Sequence, residues 1–177
     1  MACGKTTLGQ ALFADGYGEF IDLDELICGE SGLSPAEWFA QKGESSFRQA
    51  ELEAIRHLCQ SNRPAIIATG GGTPSNGDAL RLMLAHGLVV WLEASLERTI
   101  ERLLDAPGQR PLVAGMDREA LARFIPQHFA ARRPFYSQAH CRFDSSWLDT
   151  PEEIEQSLGR FKHLILTADK QNSDNKP

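Results

Sequence analysis

The sequence has little that would place the chain in a membrane, on nucleic acid or in an oxidising compartment. Its longest apolar runs, such as Leu88–Leu92, are far shorter than the ~20 residues that span a bilayer. Lys and Arg total 18 against 24 Asp and Glu, giving a net charge of −6, which argues against a general nucleic-acid-binding face. The four cysteines show no C-x-x-C and no metal-type spacing, and no signal segment opens the sequence. We therefore expect a cytoplasmic protein with reduced thiols and without a membrane or nucleic-acid partner.

What the sequence does contain is typical of one globular domain. It has 177 residues, of which 42% are hydrophobic and 24% are charged. Residues 169–177 are polar and contain no apolar anchor. We therefore expect a single domain over residues 1–168 and a disordered tail over 169–177.

Short apolar runs alternate with helical patterns along the chain. Runs at 19–21, 65–68 and 88–92 are typical of parallel strands that are buried on both faces. Helices are predicted from residue 5 onward, over 25–30, 43–62, 75–86, 95–104 and 117–131, and after the capping sequences that begin at Ser34 and Thr150. This alternation predicts an α/β fold in which helices flank a parallel sheet.

The segment Gly4-Lys5-Thr6-Thr7 matches the end of the phosphate-binding pattern G-x-x-x-x-G-K-[ST] at the start of a helix. A helix N-terminus presents unpaired N–H groups and partial positive charge to an anion. In this reading Gly4 permits close backbone approach, Lys5 neutralises phosphate charge and the Thr6 hydroxyl binds Mg²⁺. The first glycine of the pattern would precede Met1, so a plain helix start with a solvated lysine is the alternative.

Asp22 and Asp24 follow an apolar run, where the carboxyl ends of parallel strands form ligand sites. One carboxylate could serve a metal and the other a substrate hydroxyl. The alternative is that one of them caps the helix over 25–30.

Arg48 and the run Gly70-Gly71-Gly72 are candidates for contacting a small acidic ligand. Arg48 can bind a carboxylate through two N–H groups, or it can form a surface ion pair with Glu44 or Glu51. Three successive glycines after a strand would let a ligand lie against the backbone, and a flexible turn is the alternative.

Two further arginines occur later in the chain. Arg110 lies in a stretch over 105–115 that is rich in Pro and Gly and is typical of a mobile lid. Arg132 precedes Pro134-Phe135-Tyr136 at the end of a predicted helix. Each could instead be an ordinary solvated arginine, and the five histidines show no metal spacing or catalytic triad.

In this order and spacing, the motifs over about residues 3–165 resemble those of the shikimate kinases, which are P-loop small-molecule kinases. The resemblance implies a three-layer fold with a parallel sheet between helices, and transfer of a phosphoryl group from ATP to the 3-hydroxyl of shikimate. It also implies Mg²⁺, a monomer, and a lid at about 105–116.

The resemblance further implies residue roles. Gly4, Lys5, Thr6, Thr7 and Arg110 would bind ATP, with Lys5, Asp24 and Arg110 catalytic and Thr6 and Asp22 serving Mg²⁺. Asp24, Arg48, Gly70, Gly71, Gly72 and Arg132 would bind shikimate, and Ser145–Pro151 would lie near the adenine.

The first predicted helix begins at residue 5, whereas the family places a buried central strand before the phosphate loop. We therefore expect that strand to be missing because of N-terminal truncation, with Met1 an internal methionine. As written, the chain should have low stability and weak or no ATP binding, because such a strand contributes roughly 8–15 kcal/mol. Another P-loop kinase, such as a gluconate kinase, and a non-catalytic binding protein are the alternative functions.

Overall fold

A computed structural model describes residues 1–61, 63–106 and 111–174. The chain divides into two compact units, of which unit 1 comprises Met1–Lys5 with Val90–Pro177 and unit 2 comprises Thr6–Val89. The single domain over 1–168 stays a prediction. The expected lid lies partly outside the described residues, which resume with a 3₁₀ turn at Pro111–Val113.

Unit 2 contains a two-stranded parallel sheet and the helices that follow each strand. The elements are α1 (Lys5–Ala14, whose first residue belongs to unit 1), β1 (Glu19–Asp22), α2 (Leu23–Ser31), α3 (Pro35–Lys42), α4 (Glu44–Cys59), β2 (Ala65–Ala68), a 3₁₀ turn (Thr73–Ser75) and α5 (Gly77–His86). β1 and β2 pair from Glu19 opposite Ala65 to Asp22 opposite Ala68. The carboxyl ends of both strands therefore lie at one edge of the sheet.

The core of unit 2 is formed where α4 packs on α2 and α5. Its buried side chains are Leu23, Ile27, Phe47, Leu52, Ile55 and Ala79. On α4 the apolar positions recur at helical spacing, so one face is buried and the other carries the polar side chains. Burial of each large side chain contributes about 1.5–3 kcal/mol.

Unit 1 repeats the parallel pairing with a second pair of strands. Its elements are β3 (Val90–Glu93), α6 (Leu96–Asp105), the 3₁₀ turn, α7 (Arg118–Ala130), α8 (Arg133–Tyr136), β4 (Cys141–Asp144) and α9 (Pro151–Asp174). β3 and β4 pair from Val90 opposite Cys141 to Glu93 opposite Asp144. Ile100, Leu103, Val113 and Leu121 form a buried cluster between α6 and α7.

The expectation that the apolar strands are buried on both faces is wrong. In β2, Ala65 is exposed and Ile67 is 40% exposed, and every residue of β3 is partly exposed. The physical reason is that each sheet has only two strands, so each described strand has a single hydrogen-bonded neighbour. Among the described residues no strand precedes α1, and the truncation stays a prediction.

At the end of the described residues α9 continues to Asp174, and the disordered tail over 169–177 stays a prediction. β4 was not predicted, because Cys-Arg-Phe-Asp is short and half polar. None of the helices within the described ranges is long and apolar enough to cross a membrane.

Candidate active site

The start of α1 has a glycine in a left-handed conformation immediately before Lys5. Gly4 has a φ of 78°, a left-handed conformation that favours glycine, and the side chain of Leu148 occupies the space that a Cβ on Gly4 would take. Lys5 begins the helix and is partly buried, whereas Thr6 is exposed. The segment therefore opens a helix, and a helix N-terminus presents N–H groups and partial positive charge that suit an anion.

Asp22 ends β1 and caps α2. Its Oδ1 accepts hydrogen bonds from the backbone N–H groups of Asp24 at 3.1 Å and Glu25 at 3.4 Å. The capping alternative is therefore confirmed for Asp22, and it fixes the carboxylate at the carboxyl end of the strand.

Arg48 lies on α4 in a network of ion pairs. Its Nη2 lies 2.9 Å from Glu44 Oε1, and its Nη1 lies 2.7 Å from Glu51 Oε2. The Glu51 side chain is fully buried and also accepts a hydrogen bond from the Thr73 hydroxyl. Arg48 is thus paired, as the alternative for this residue predicts, but its inner partner is a buried carboxylate and its own side chain stays 21% exposed.

The electrostatics of this network favour a permanently charged Arg48. Burial opposes the guanidinium charge, but the hydrogen bonds and charges of Glu51 and Glu44 outweigh burial and raise the pKa of Arg48. Burial raises the pKa of the Glu51 carboxyl, against the lowering effect of Thr73 and Arg48. Arg48 therefore presents a fixed positive charge whose direction is set from the core side.

The glycine run packs against the same side chains. A Cβ added to Gly72 would lie 2.5 Å from Arg48 Cζ and 2.7 Å from its Nη1, so the guanidinium lies directly against the Gly72 backbone. A Cβ on Gly70 would lie 3.1 Å from Asp24 Oδ1 and 3.3 Å from Glu51 Oε1. Neither glycine has a positive φ, so close approach and not backbone conformation explains the absence of side chains here.

The structure thus brings together several of the predicted residues within unit 2. Asp24 and Arg48 both lie against the glycine run, and the side-chain amide of Asn76 donates to the Arg48 carbonyl oxygen at 3.3 Å. Glu51 and Thr73 complete the network and were not predicted as site residues. The sequence signal that could have identified Glu51 is its position on the apolar stripe of α4, four residues after Phe47 and four before Ile55.

The remaining predicted arginines belong to the other part of the chain. Arg132 is partly buried in unit 1, between the end of α7 and the start of α8, and its backbone carbonyl accepts hydrogen bonds from the N–H groups of Phe135 and Tyr136. Burial lowers the pKa of His128, and the charge of Arg132 adds to that effect. Arg110 lies outside the described residues.

Comparisons with known proteins agree on one family. The family model described as shikimate kinase matches residues 1–162. The shikimate kinase of Bacteroides fragilis is 34% identical over 165 residues, which cover 93% of this chain and 92% of that protein. The crystal structure of shikimate kinase from Bacteroides thetaiotaomicron matches with a TM-score of 0.88 at 34% identity, over 93% of both chains.

A third similar protein carries a ligand. The shikimate kinase of Acinetobacter baumannii in complex with shikimate matches with a TM-score of 0.77 at 27% identity, over 94% of this chain and 89% of that one. The fold and the sequence matches lead to the same conclusion, and the chain belongs to the shikimate kinase family of α/β P-loop kinases.

Proposed function

We propose that this chain transfers the terminal phosphoryl group of ATP to the 3-hydroxyl of shikimate, with Arg48 as the residue that grips the substrate carboxylate. The observation that carries this proposal is the guanidinium held between the buried Glu51 and the bare backbone of Gly72. A fixed planar fork is suited to a carboxylate, and membership of the family supports the choice of shikimate.

The hydroxyls of the substrate are assigned to Asp24 and the glycine run. Asp24 Oδ1 is buried beside Gly70, at the carboxyl end of β1 and β2. With no side chains at Gly70, Gly71 and Gly72, the ring of a small polyhydroxy acid can approach their backbone. Arg132 is proposed as the second carboxylate ligand.

ATP is assigned to the start of α1. Gly4, Lys5, Thr6 and Thr7 would cradle its phosphates at the helix N-terminus, and Arg110 would stabilise the charge of the transferred group. The stretch Ser145–Pro151 would lie near the base.

Mg²⁺ is assigned to Thr6 and Asp22, whose hydroxyl and carboxylate oxygens are the donors that this hard cation prefers. No cluster of three or more His, Cys, Asp or Glu residues suited to a metal occurs within the described ranges. When bound, Mg²⁺ would neutralise charge on the phosphates.

The reaction follows from these placements. The 3-hydroxyl oxygen forms a bond to the γ-phosphorus of ATP as the bond from that phosphorus to the bridging oxygen breaks, and ADP leaves. The hydroxyl proton passes to the Asp24 carboxylate. Positioning by Arg48 and charge stabilisation by Lys5 and Arg110 supply the catalysis, since phosphoryl transfer needs little covalent help from the protein.

The setting of the enzyme is proposed as a monomer in the cytoplasm. All four cysteines are free, which suits a reducing compartment.

The test is turnover of shikimate by the 177-residue chain in a coupled assay of ADP release, with gluconate as the alternative substrate. We expect slow ATP-dependent turnover of shikimate and no turnover of gluconate, with a high KM for ATP in keeping with the weak ATP binding predicted from the sequence. Arg48→Lys should raise KM for shikimate about tenfold or more because a lysine loses the bidentate geometry. Turnover of gluconate without turnover of shikimate would overturn the substrate assignment. Absence of turnover together with absence of ATP binding would favour a non-catalytic protein.

A further inference from the structure

All three nitrogens of the Arg48 guanidinium donate to glutamates in the structure. Nε and Nη2 donate to Glu44 Oε1 at 3.3 and 2.9 Å, and Nη1 donates to Glu51 Oε2 at 2.7 Å. The edge formed by Nε and Nη2, which we call the outer edge, is one of the two edges at which a guanidinium offers parallel N–H groups to a carboxylate. The other edge lies between Nη1 and Nη2 and shares the nitrogen that donates to Glu51. A carboxylate ligand that binds the outer edge must therefore replace Glu44.

The two glutamates that hold Arg48 differ in burial. The Glu51 side chain is fully buried and also accepts a hydrogen bond from the Thr73 hydroxyl, so its separation from Arg48 would leave a buried charge without its cationic partner. The Glu44 side chain is 70% exposed, so water can solvate its carboxylate as soon as it leaves Arg48. Glu44 is thus the partner that a ligand can displace, and Glu51 is the partner that stays.

The position of Glu44 on α4 allows it to release Arg48 at small cost. Glu44 is the first residue of the helix and lies one turn before Arg48, in the order that favours an ion pair between a glutamate and a following cation. Gly43 provides no side-chain cap for this helix, and the partial positive charge of a helix N-terminus favours a nearby carboxylate. A released Glu44 therefore keeps favourable surroundings, and the exposed ion pair that it gives up contributes little to stability.

We infer that Glu44 is an internal competitor that occupies the outer edge of Arg48 in the free protein and is displaced by the carboxylate of the substrate. The inference rests on the proposed function, in which Arg48 grips that carboxylate. Glu44 thereby lowers the affinity for the acid, because each binding event must first break the Glu44 contacts. A neutral analogue of the same shape is unaffected, since an uncharged group does not compete with Glu44 for the guanidinium.

The test compares Glu44→Gln with Glu53→Gln by isothermal titration with shikimate and with its methyl ester. Glu53 is a matched control on the same helix, since its side chain is 51% exposed and its partners among the contacts described are Gln49 and Arg56. Glu44→Gln should strengthen the binding of shikimate about threefold, because a neutral amide competes less for Arg48 than a carboxylate does. The affinity for the ester should stay nearly unchanged, and Glu53→Gln should match the wild type for both ligands.

Glu44→Ala is the second variant, and it removes the competing acceptor altogether. It should strengthen the binding of shikimate at least as much as Glu44→Gln, by about three- to fivefold. In steady-state kinetics both variants should lower KM for shikimate by these factors and leave kcat within about twofold, because the exchange affects binding and not the chemical step. A merely structural role for Glu44 would move KM in the opposite direction, so the sign of the change separates the two roles.

Three outcomes would overturn the inference. One is weaker binding of shikimate by the Glu44 variants, which would show that Glu44 orients Arg48 for the ligand. Another is an equal gain for shikimate and its ester, or an equal gain in Glu53→Gln, which would trace the effect to the shape of the pocket or to the net charge of the helix. The third is wild-type affinity in both Glu44 variants. If the wild type binds shikimate no more tightly than the ester, the proposed function fails with it; if the wild type prefers shikimate and the Glu44 variants match it, this inference alone fails.

Discussion

Gly72→Ala should disrupt the Arg48 network without altering any charged group. The new Cβ would lie 2.5 Å from Arg48 Cζ and 2.7 Å from Nη1, whereas ordinary carbon contacts begin at about 3.5 Å. The guanidinium must therefore retreat by about 1 Å. Arg48 Nη1 lies 2.7 Å from the fully buried Glu51, so this retreat breaks or bends a charge-assisted hydrogen bond.

The magnitude follows from the burial of the partner. Loss of a hydrogen bond to a charged group costs about 1.5–3 kcal/mol, and that is a large part of the ~5–15 kcal/mol that stabilises a typical domain. We expect the free energy of unfolding to fall by about 2–3 kcal/mol. We also expect kcat/KM for shikimate to fall about 100-fold, because a displacement of 1 Å in a positioning group has effects of that order.

The assay is urea unfolding combined with steady-state kinetics, with Gly77→Ala as the control. Gly77 lies at the start of α5 with nothing within 4 Å of an added Cβ, so its replacement should be neutral or stabilise the helix by up to about 1 kcal/mol. A mutant cycle tests the cause by repeating Gly72→Ala in a background that carries Arg48→Ala and Glu51→Gln. This background removes the guanidinium without leaving a buried charge. There Gly72→Ala should cost almost nothing. An equal cost in both backgrounds would refute the reasoning.

Three further predictions follow from local contacts. Ser34→Ala removes the capping box of α3, so it should lower the free energy of unfolding by about 1 kcal/mol, while Ser45→Ala in an exposed position should change urea unfolding little. Burial raises the pKa of Glu51, so the native state holds that proton more tightly than the unfolded chain. The wild type should therefore lose stability relative to Glu51→Gln as pH rises from about 4.3 through the raised pKa, and a gain of wild-type stability relative to the variant over that range in urea titrations would contradict this. The Ser146 hydrogen bonds lower the pKa of Asp144, so that carboxylate contributes stability above about 3.9 that is lost as pH falls through the lowered value, and Ser146→Ala should weaken this acid-side dependence.

Local chemistry explains why much of the fold could be predicted from the sequence. The capping box at Ser34 and Glu37 and the strand at 65–68 depend on neighbouring residues, and the structure contains both as predicted. β4 depends instead on pairing with β3, some fifty residues earlier, and its own four residues carry little strand signal. Exposure of Ile67 likewise depends on how many strands lie beside β2, which its own sequence does not encode.

The candidate site was predictable in residue type but not in arrangement. The glycine run was predicted to let a ligand lie against the backbone. At Gly72, however, the Arg48 guanidinium occupies the space that a side chain would take. The alternative readings of Arg48 and Asp22 as partners in local contacts are both confirmed, and local pairing does not conflict with ligand binding because it fixes the direction of each group. Glu51 could not be assigned in advance, since the Thr73 hydroxyl that donates to it is distant in sequence.

The most direct test of the proposed site is the affinity of the wild type and Arg48→Lys for shikimate and for its methyl ester. If Arg48 grips the carboxylate, the wild type should bind shikimate at least about tenfold more tightly than the uncharged ester. Arg48→Lys should weaken shikimate by about that factor and leave the affinity for the ester nearly unchanged. Equal losses for shikimate and ester would contradict the account, because Arg48 would then support the fold of the site and not recognise the acid.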